Sequence, residues 1–171
     1  MKHSKKLRPA VFFGAAILFA TLSFTPASAA AGAEFRLDNR TSSEFLMLVE
    51  GDGLTDGNVY RRLLVVKPAS VEQYSHDSKG GEGRQTMSRT FSIWRGIETS
   101  SLSAPVTTRS GLQARGGELV GEVEVVFKSS AKGDDDVQWG AFDDVDGDSF
   151  VLSKARGASG PNTKVLRIRE E

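Results

Sequence analysis

Along much of this chain the apolar residues recur at every second position, over short runs, and that period is the one a β-strand imposes. In residues 119–127 the side chains of Val123, Val125 and Phe127 fall on one side, and those of Glu122 and Glu124 on the other. In residues 87–93, Met87, Phe91 and Ile93 alternate with Ser88, Thr90 and Ser92. Phe150 and Leu152 form a shorter pair, and Leu166 and Ile168 oppose Arg167 and Arg169 in a final strand. Two more runs, 45–49 and 63–66, are apolar on both faces, which suits central strands covered on both sides. Further strands are expected around 34–37, 71–74, 106–108 and 137–142.

Turn pairs such as Asp52-Gly53, Asp56-Gly57 and Gly80-Gly81 punctuate these runs, because Gly accepts the backbone angles that tight turns need. After the first 29 residues no window keeps an apolar stripe at the three-and-four spacing of a helix. The Ser/Thr-rich stretch 99–103, followed by Ala104-Pro105, reads as a surface loop within one domain. Many short strands with frequent turns indicate a sandwich or barrel. The expected fold is all-β: a single small β-sandwich, or partly open barrel, of about nine strands.

The start of the chain has a different character. Lys2, Lys5, Lys6 and Arg8 precede an apolar stretch over residues 10–22, and Ala27-Ser28-Ala29 follows, with Pro26 just before it. A basic start, an apolar middle and a small-residue cleavage site make a secretory signal peptide. The apolar stretch is shorter than the roughly 20 residues that span a bilayer. Residues 1–29 are therefore expected to be removed, with Ala29-Ala30-Ala31 offering a second cut two residues later, and 30–171 to form the domain. The destination is a periplasm or the outside of the cell.

Removal of the leader changes the charge. The chain has 22 basic and 22 acidic residues, and four of the basic ones lie in the leader, so the remainder stands near −4. That balance argues against a nucleic-acid partner, which calls for a basic footprint. The sequence has no cysteine, which excludes disulfides and attachment of lipid to a cysteine. A domain of this size without such staples must be held by its own core. With no cysteine and His76 as the one histidine after the leader, a Cys/His zinc site cannot be built.

The residues with candidate chemistry are few. Asp134, Asp135, Asp136, Asp143, Asp144, Asp146 and Asp148 crowd one segment, and a hard cation such as Ca2+ would relieve their repulsion. Asp144, Asp146 and Asp148 have the alternating spacing of the first half of a calcium loop and are the candidate metal ligands. Ser149 and Ala155 stand where a helix-type loop would need Gly and Glu, so any such site is a looser one between β loops. The alternative is a solvated acidic hairpin. Trp94 and Trp139 are candidate ligand platforms, through stacking on a sugar or entry into a membrane interface, against the ordinary alternative of core packing.

His76 next to Asp77 lacks the other parts of a nucleophile triad, and Gly80-Gly81-Glu82-Gly83 matches no phosphate loop. Asn39-Arg40-Thr41 fits the glycosylation acceptor pattern. Among many carboxylates, nothing in the sequence selects a catalytic pair. These readings favour a non-enzymatic exported binding protein that recognises a glycan, an envelope component or a protein through loops or a sheet face. A membrane-acting β-protein and a carboxylate-dependent hydrolase are the alternatives.

Overall fold

The structure is a computed structural model that describes residues 33–52, 59–76, 85–98, 108–129, 135–145, 149–156 and 159–171. In chain order the elements are β1 (Ala33–Asn39), β2 (Phe45–Asp52), β3 (Val59–Val66), β4 (Val71–His76), β5 (Gln85–Arg95), α1 (Arg109–Ala114), β6 (Glu118–Ser129), β7 (Asp136–Asp144), β8 (Phe150–Lys154) and β9 (Thr163–Glu170). Two sheets form, with strand orders β4-β1-β9-β8 and β3-β2-β5-β6-β7. Their inner faces share one core, which makes the domain the expected β-sandwich. All neighbouring strands run antiparallel except β1 and β9, which are parallel and join the first and last strands of the domain.

Alternation explains the core. Phe35 and Leu37 of β1, Phe45, Met47 and Val49 of β2, Phe91 and Ile93 of β5, and Val123, Val125 and Phe127 of β6 all face inward and are buried. Aromatic rings stitch the two sheets together. Phe35 meets Phe91 with centroids 4.1 Å apart, and Tyr74 packs edge-on against Phe91 at 5.3 Å. Gly121 is required where β8 crosses β6, because a Cβ there would run into the Leu152 side chain and the Asp143 carbonyl.

Two local expectations change, and the core holds one cation. Residues 63–66 lie in β3, an edge strand rather than a central one, and Val65 is 37% exposed; apolar composition alone does not distinguish the middle of a sheet from its rim. The strand expected at 106–108 is absent where it can be seen: Thr108 caps α1, and 106–107 lie outside the described residues. So do residues 99–103. Finally, Arg89 shares the inner face with Met87 and Phe91 and is 3% exposed. Its guanidinium stacks on Tyr60 at 4.6 Å and donates to the Asp52 carbonyl at 2.8 Å and the Tyr74 hydroxyl at 3.3 Å.

Burial holds the Tyr74 hydroxyl protonated above its ordinary value near 10, and the hydrogen bond from Arg89 offsets only part of that. The unfolded chain releases this proton near pH 10, while the folded chain retains it. The stability involved is therefore present below pH about 10 and is lost as the pH rises beyond it. Thermal melts from pH 8 to 11.5 are expected to show a steeper alkaline loss for the native protein than for Tyr74→Phe; parallel curves would contradict the assignment.

Candidate functional site

The outer face of the five-stranded sheet carries both an apolar and a polar half. Leu46 and Leu48 project outward from β2, Trp94 from β5, and all three are buried because Leu112 of α1 lies on them. The helix has only six residues, too few to be stable from backbone bonds alone. Thr108 Oγ1 accepts from the Gly111 amide at 3.2 Å at its start, and Gly116, with φ +80°, ends it. The apolar anchor fixes its position, and α1 explains why residues 45–49 are apolar on both faces.

Beyond α1 the outer face turns polar. The register aligns Arg61, Glu50, Thr90 and Glu124 in one cross-strand row, and Leu63, Leu48, Ser92, Glu122 and Asp143 in the next. Arg109 at the start of α1 reaches across both rows. Its Nε donates to Glu50 Oε2 and its Nη1 to Glu122 Oε2, each at 2.7 Å. Arg61 Nε donates to the other Glu50 oxygen at 3.2 Å. Ser92 Oγ donates to Glu122 Oε2 at 2.9 Å, and Ser88 Oγ donates to Glu124 Oε1. Partial burial works against the Arg109 charge, but the hydrogen bond to Glu50 and the field of Glu122 outweigh it and raise its pKa.

This network walls an open cleft of about 710 Å³ between α1 and the sheet, lined by Glu50, Arg61, Thr90, Thr108, Arg109 and Gln113 among others. A smaller hollow of about 180 Å³ continues past Thr90 toward Glu122, Glu124, Phe142 and Asp143. Together they form a groove that crosses the strands, with Thr90 on its floor. The local charges nearly cancel at the α1 end, where two guanidiniums face Glu50 and Glu122. Hydrogen-bond donors and acceptors of both kinds are held in fixed places, which suits recognition of a polar ligand.

The residues singled out from sequence lie elsewhere. Trp94 is on the outer face, as its alternation indicated, but α1 covers it, and it is 1% exposed. Its indole N–H finds no acceptor among the described residues. Trp139 is half-buried at the rim of the core, edge-on to Phe35 at 6.2 Å, with Lys154 Nζ 5.2 Å from its ring centre. Asp144 Oδ2 accepts from the Leu152 amide at 3.3 Å and ties β7 to β8. Asp146 and Asp148 lie outside the described residues, as do Asp77 and Gly80-Gly81.

The two halves of the acidic segment are separated by β7, whose ends are about 25 Å apart at 3.3 Å per residue. Asp135 and Asp136 at one end of β7 and Asp143 and Asp144 at the other are therefore too far apart to share one cation, and Asp134 lies outside the described residues. Among the described residues no three of His, Asp and Glu come together to hold a metal ion. Asn39 is fully buried, and its Nδ2 donates to the carbonyls of Ser43 and Lys67 at 2.8 and 2.9 Å. The acceptor pattern there is a structural clamp in the folded protein. No described helix is long and apolar enough to cross a membrane.

Arg61, Glu50, Arg109 and Gln113 escaped the sequence reading, while Thr90, Glu122 and Glu124 were visible as the polar sides of alternating strands. Strand register and the placement of α1 bring them together. Comparison with protein-family models, with curated proteins and with solved structures gave no match.

The magnitudes predict how α1 is held. A buried leucine truncated to alanine costs about 2–5 kcal/mol, while a partly exposed ion pair contributes about 0.2–1 kcal/mol. Leu112→Ala is expected to lower stability in urea by the first amount, and Arg109→Ala by no more than the second. A larger loss from Arg109→Ala would mean that the ion pairs, rather than Leu112, anchor the helix.

Proposed function

We propose that this is an exported, non-catalytic binding protein that holds a neutral glycan chain in the groove on the outer face of its five-stranded sheet. The observation that carries this reading is the cleft beneath α1, where Arg61, Arg109, Glu50 and Thr90 present donors and acceptors together. Sugar hydroxyls both donate and accept, so they can use such a mixed array. A ligand with strong charge of one sign would meet both signs in the cleft. The length of the groove across the strands suits an extended oligosaccharide of the kind found in cell envelopes, and the exposed edge of Phe142 adds apolar surface at its far end.

Glu122 and Glu124 favour a second reading, hydrolysis of the same ligand. They leave one face of β6 two residues apart, about 7 Å along the strand, which is within the span an inverting carboxylate pair uses. Against it, a general acid needs an apolar site that keeps it protonated, whereas Arg109 and Ser92 hold Glu122. Binding without turnover is the better-supported function.

Affinity electrophoresis of the mature protein through gels containing neutral polysaccharides tests this. At least one glycan is expected to retard the protein, and Thr90→Trp, which fills the groove floor, is expected to weaken binding by about tenfold or more through two lost hydrogen bonds, with the melting temperature unchanged. No retardation by any neutral glycan, or an unaffected Thr90→Trp, would overturn it. Release of reducing ends that Glu122→Gln abolishes would establish the hydrolase instead.

A further inference from the structure

The outer face of the four-stranded sheet gathers arginines. Phe35 and Leu37 of β1 and Leu166 and Ile168 of β9 point into the core, so Glu34, Arg36 and Asp38 on β1, and Arg167 and Arg169 on β9, point outward. The two strands are neighbours, with Asp38 level with Arg167. The Arg40 amide carries the pairing one step further, donating to the Ile168 carbonyl at 2.9 Å, which brings Arg40 beside Arg169.

Two buried carboxylates pin this array. Asp38 takes Arg40 Nε on Oδ1 at 2.7 Å and Arg167 Nε on Oδ2 at 2.9 Å. Glu34 accepts from Arg36 Nε and Nη2 at 3.1 and 2.6 Å, and from Gln73 Nε2 at 2.9 Å. Asp38 thus grips its two partners by the Nε edge and not by the terminal Nη nitrogens. The side chains of Arg40 and Arg36 are still 61% and 42% exposed, and Arg169 is exposed as well. Held guanidiniums lose less freedom on binding than free ones do.

Four guanidiniums against Glu34 and Asp38 leave the face with a formal charge of +2 among the described residues. Glu72, Lys154, Lys164 and Glu170 alternate to the other side of the same strands and cancel. Around the groove, on the opposite outer face, Glu50, Glu122, Glu124 and Asp143 outnumber Arg61 and Arg109 by two. The sandwich is therefore polarised, and an anion is drawn to one face and repelled by the other.

We propose that the arginine face docks a polymer of repeated phosphodiesters, of the kind cell envelopes display; the envelope setting rests on the export reading, while the chemistry does not. Arginine forks match phosphate oxygens two at a time, and a phosphodiester stays ionised across the physiological range. Arg167 and Arg169 stand about 6.6 Å apart along β9, with β1 about 4.8 Å to the side, a fixed spacing that successive phosphates of one chain can follow. A fluid bilayer needs no such spacing and favours an apolar anchor, and the large apolar side chain most exposed on this face is Val71. A nucleic acid would call for aromatic side chains to stack its bases, and the outward positions of these strands hold none among the described residues.

Sedimentation of the exported chain with poly(glycerol phosphate), at 50 and 200 mM salt, tests the docking. Binding that weakens with salt is expected, and Arg40→Gln with Arg169→Gln should weaken it by about tenfold or more. The same loss of charge at Arg62 on β3 should leave it within twofold. If the double variant does not fold, Arg169→Gln alone, outside the ion pairs, should still weaken binding by about threefold. No binding, or equal loss from Arg62→Gln, overturns the proposal. So does tighter binding of oligothymidylate or of phosphatidylglycerol vesicles, which would make the partner a nucleic acid or a bilayer. Equal binding of polygalacturonate overturns it too, since the face would then attract any polyanion. The groove and its neutral glycan lie on the other face, so either reading can fail without the other.

Discussion

Phe35 and Phe91 lie against each other at the centre of the molecule, one from each sheet, their rings inclined by 32°. The domain has no disulfide to fall back on, so its two sheets are held together by what their inner faces bury. Tyr74, Phe127 and Trp139 extend the contact in both directions along the interface. Because β1 supplies Phe35 and pairs with β9 on one side and β4 on the other, this contact also sets how the whole four-stranded sheet sits over its partner. Non-directional apolar burial supplies the driving force, while ring geometry and the crossing at Gly121 set the fit.

The outer face depends on that arrangement at one remove. Once β2, β5 and β6 are adjacent, Leu46, Leu48 and Trp94 make an apolar half that would be exposed without a cover, and α1 provides one. Placing Leu112 there swings Arg109 over Glu50 and Glu122. The ion pairs add little stability at their exposure. Their effect is positional: they fix carboxylates and guanidiniums as walls of a groove. The candidate site is in this sense a by-product of covering a hydrophobic strip with a helix too short to stand alone.

Polar groups do the corresponding work at the chain reversals. Asn39 spans from β1 to the carbonyls of Ser43 and Lys67, and its Oδ1 accepts from both the amide and the hydroxyl of Thr41. Glu170 near the end of β9 accepts from the Ser42 amide and hydroxyl, which draws its pKa below the ordinary value. Polar side chains here, Asn39 buried and Glu170 exposed, replace the backbone partners that a turn would otherwise leave unsatisfied.

What the sequence determined alone was the strand period, and with it the inward set of Phe91, Ile93, Val123, Val125 and Phe127 and the outward set of Ser88, Thr90, Ser92, Glu122 and Glu124. Alternation is a property of the local backbone, since successive side chains on an extended chain must point to opposite sides. Which strands become neighbours is not local. Glu50, Thr90 and Glu124 form a row only because β2, β5 and β6 pair in one register, and a shift of one residue would turn each of them toward the core. The same holds for Trp94, whose exposure turned on a six-residue helix with no periodic signal of its own, and for Arg89, a cation on an apolar face that is tolerated because Tyr60, Tyr74 and the Asp52 carbonyl surround it. The tertiary structure decided these points because each depends on a contact between segments far apart in the chain, and no local pattern encodes such a contact.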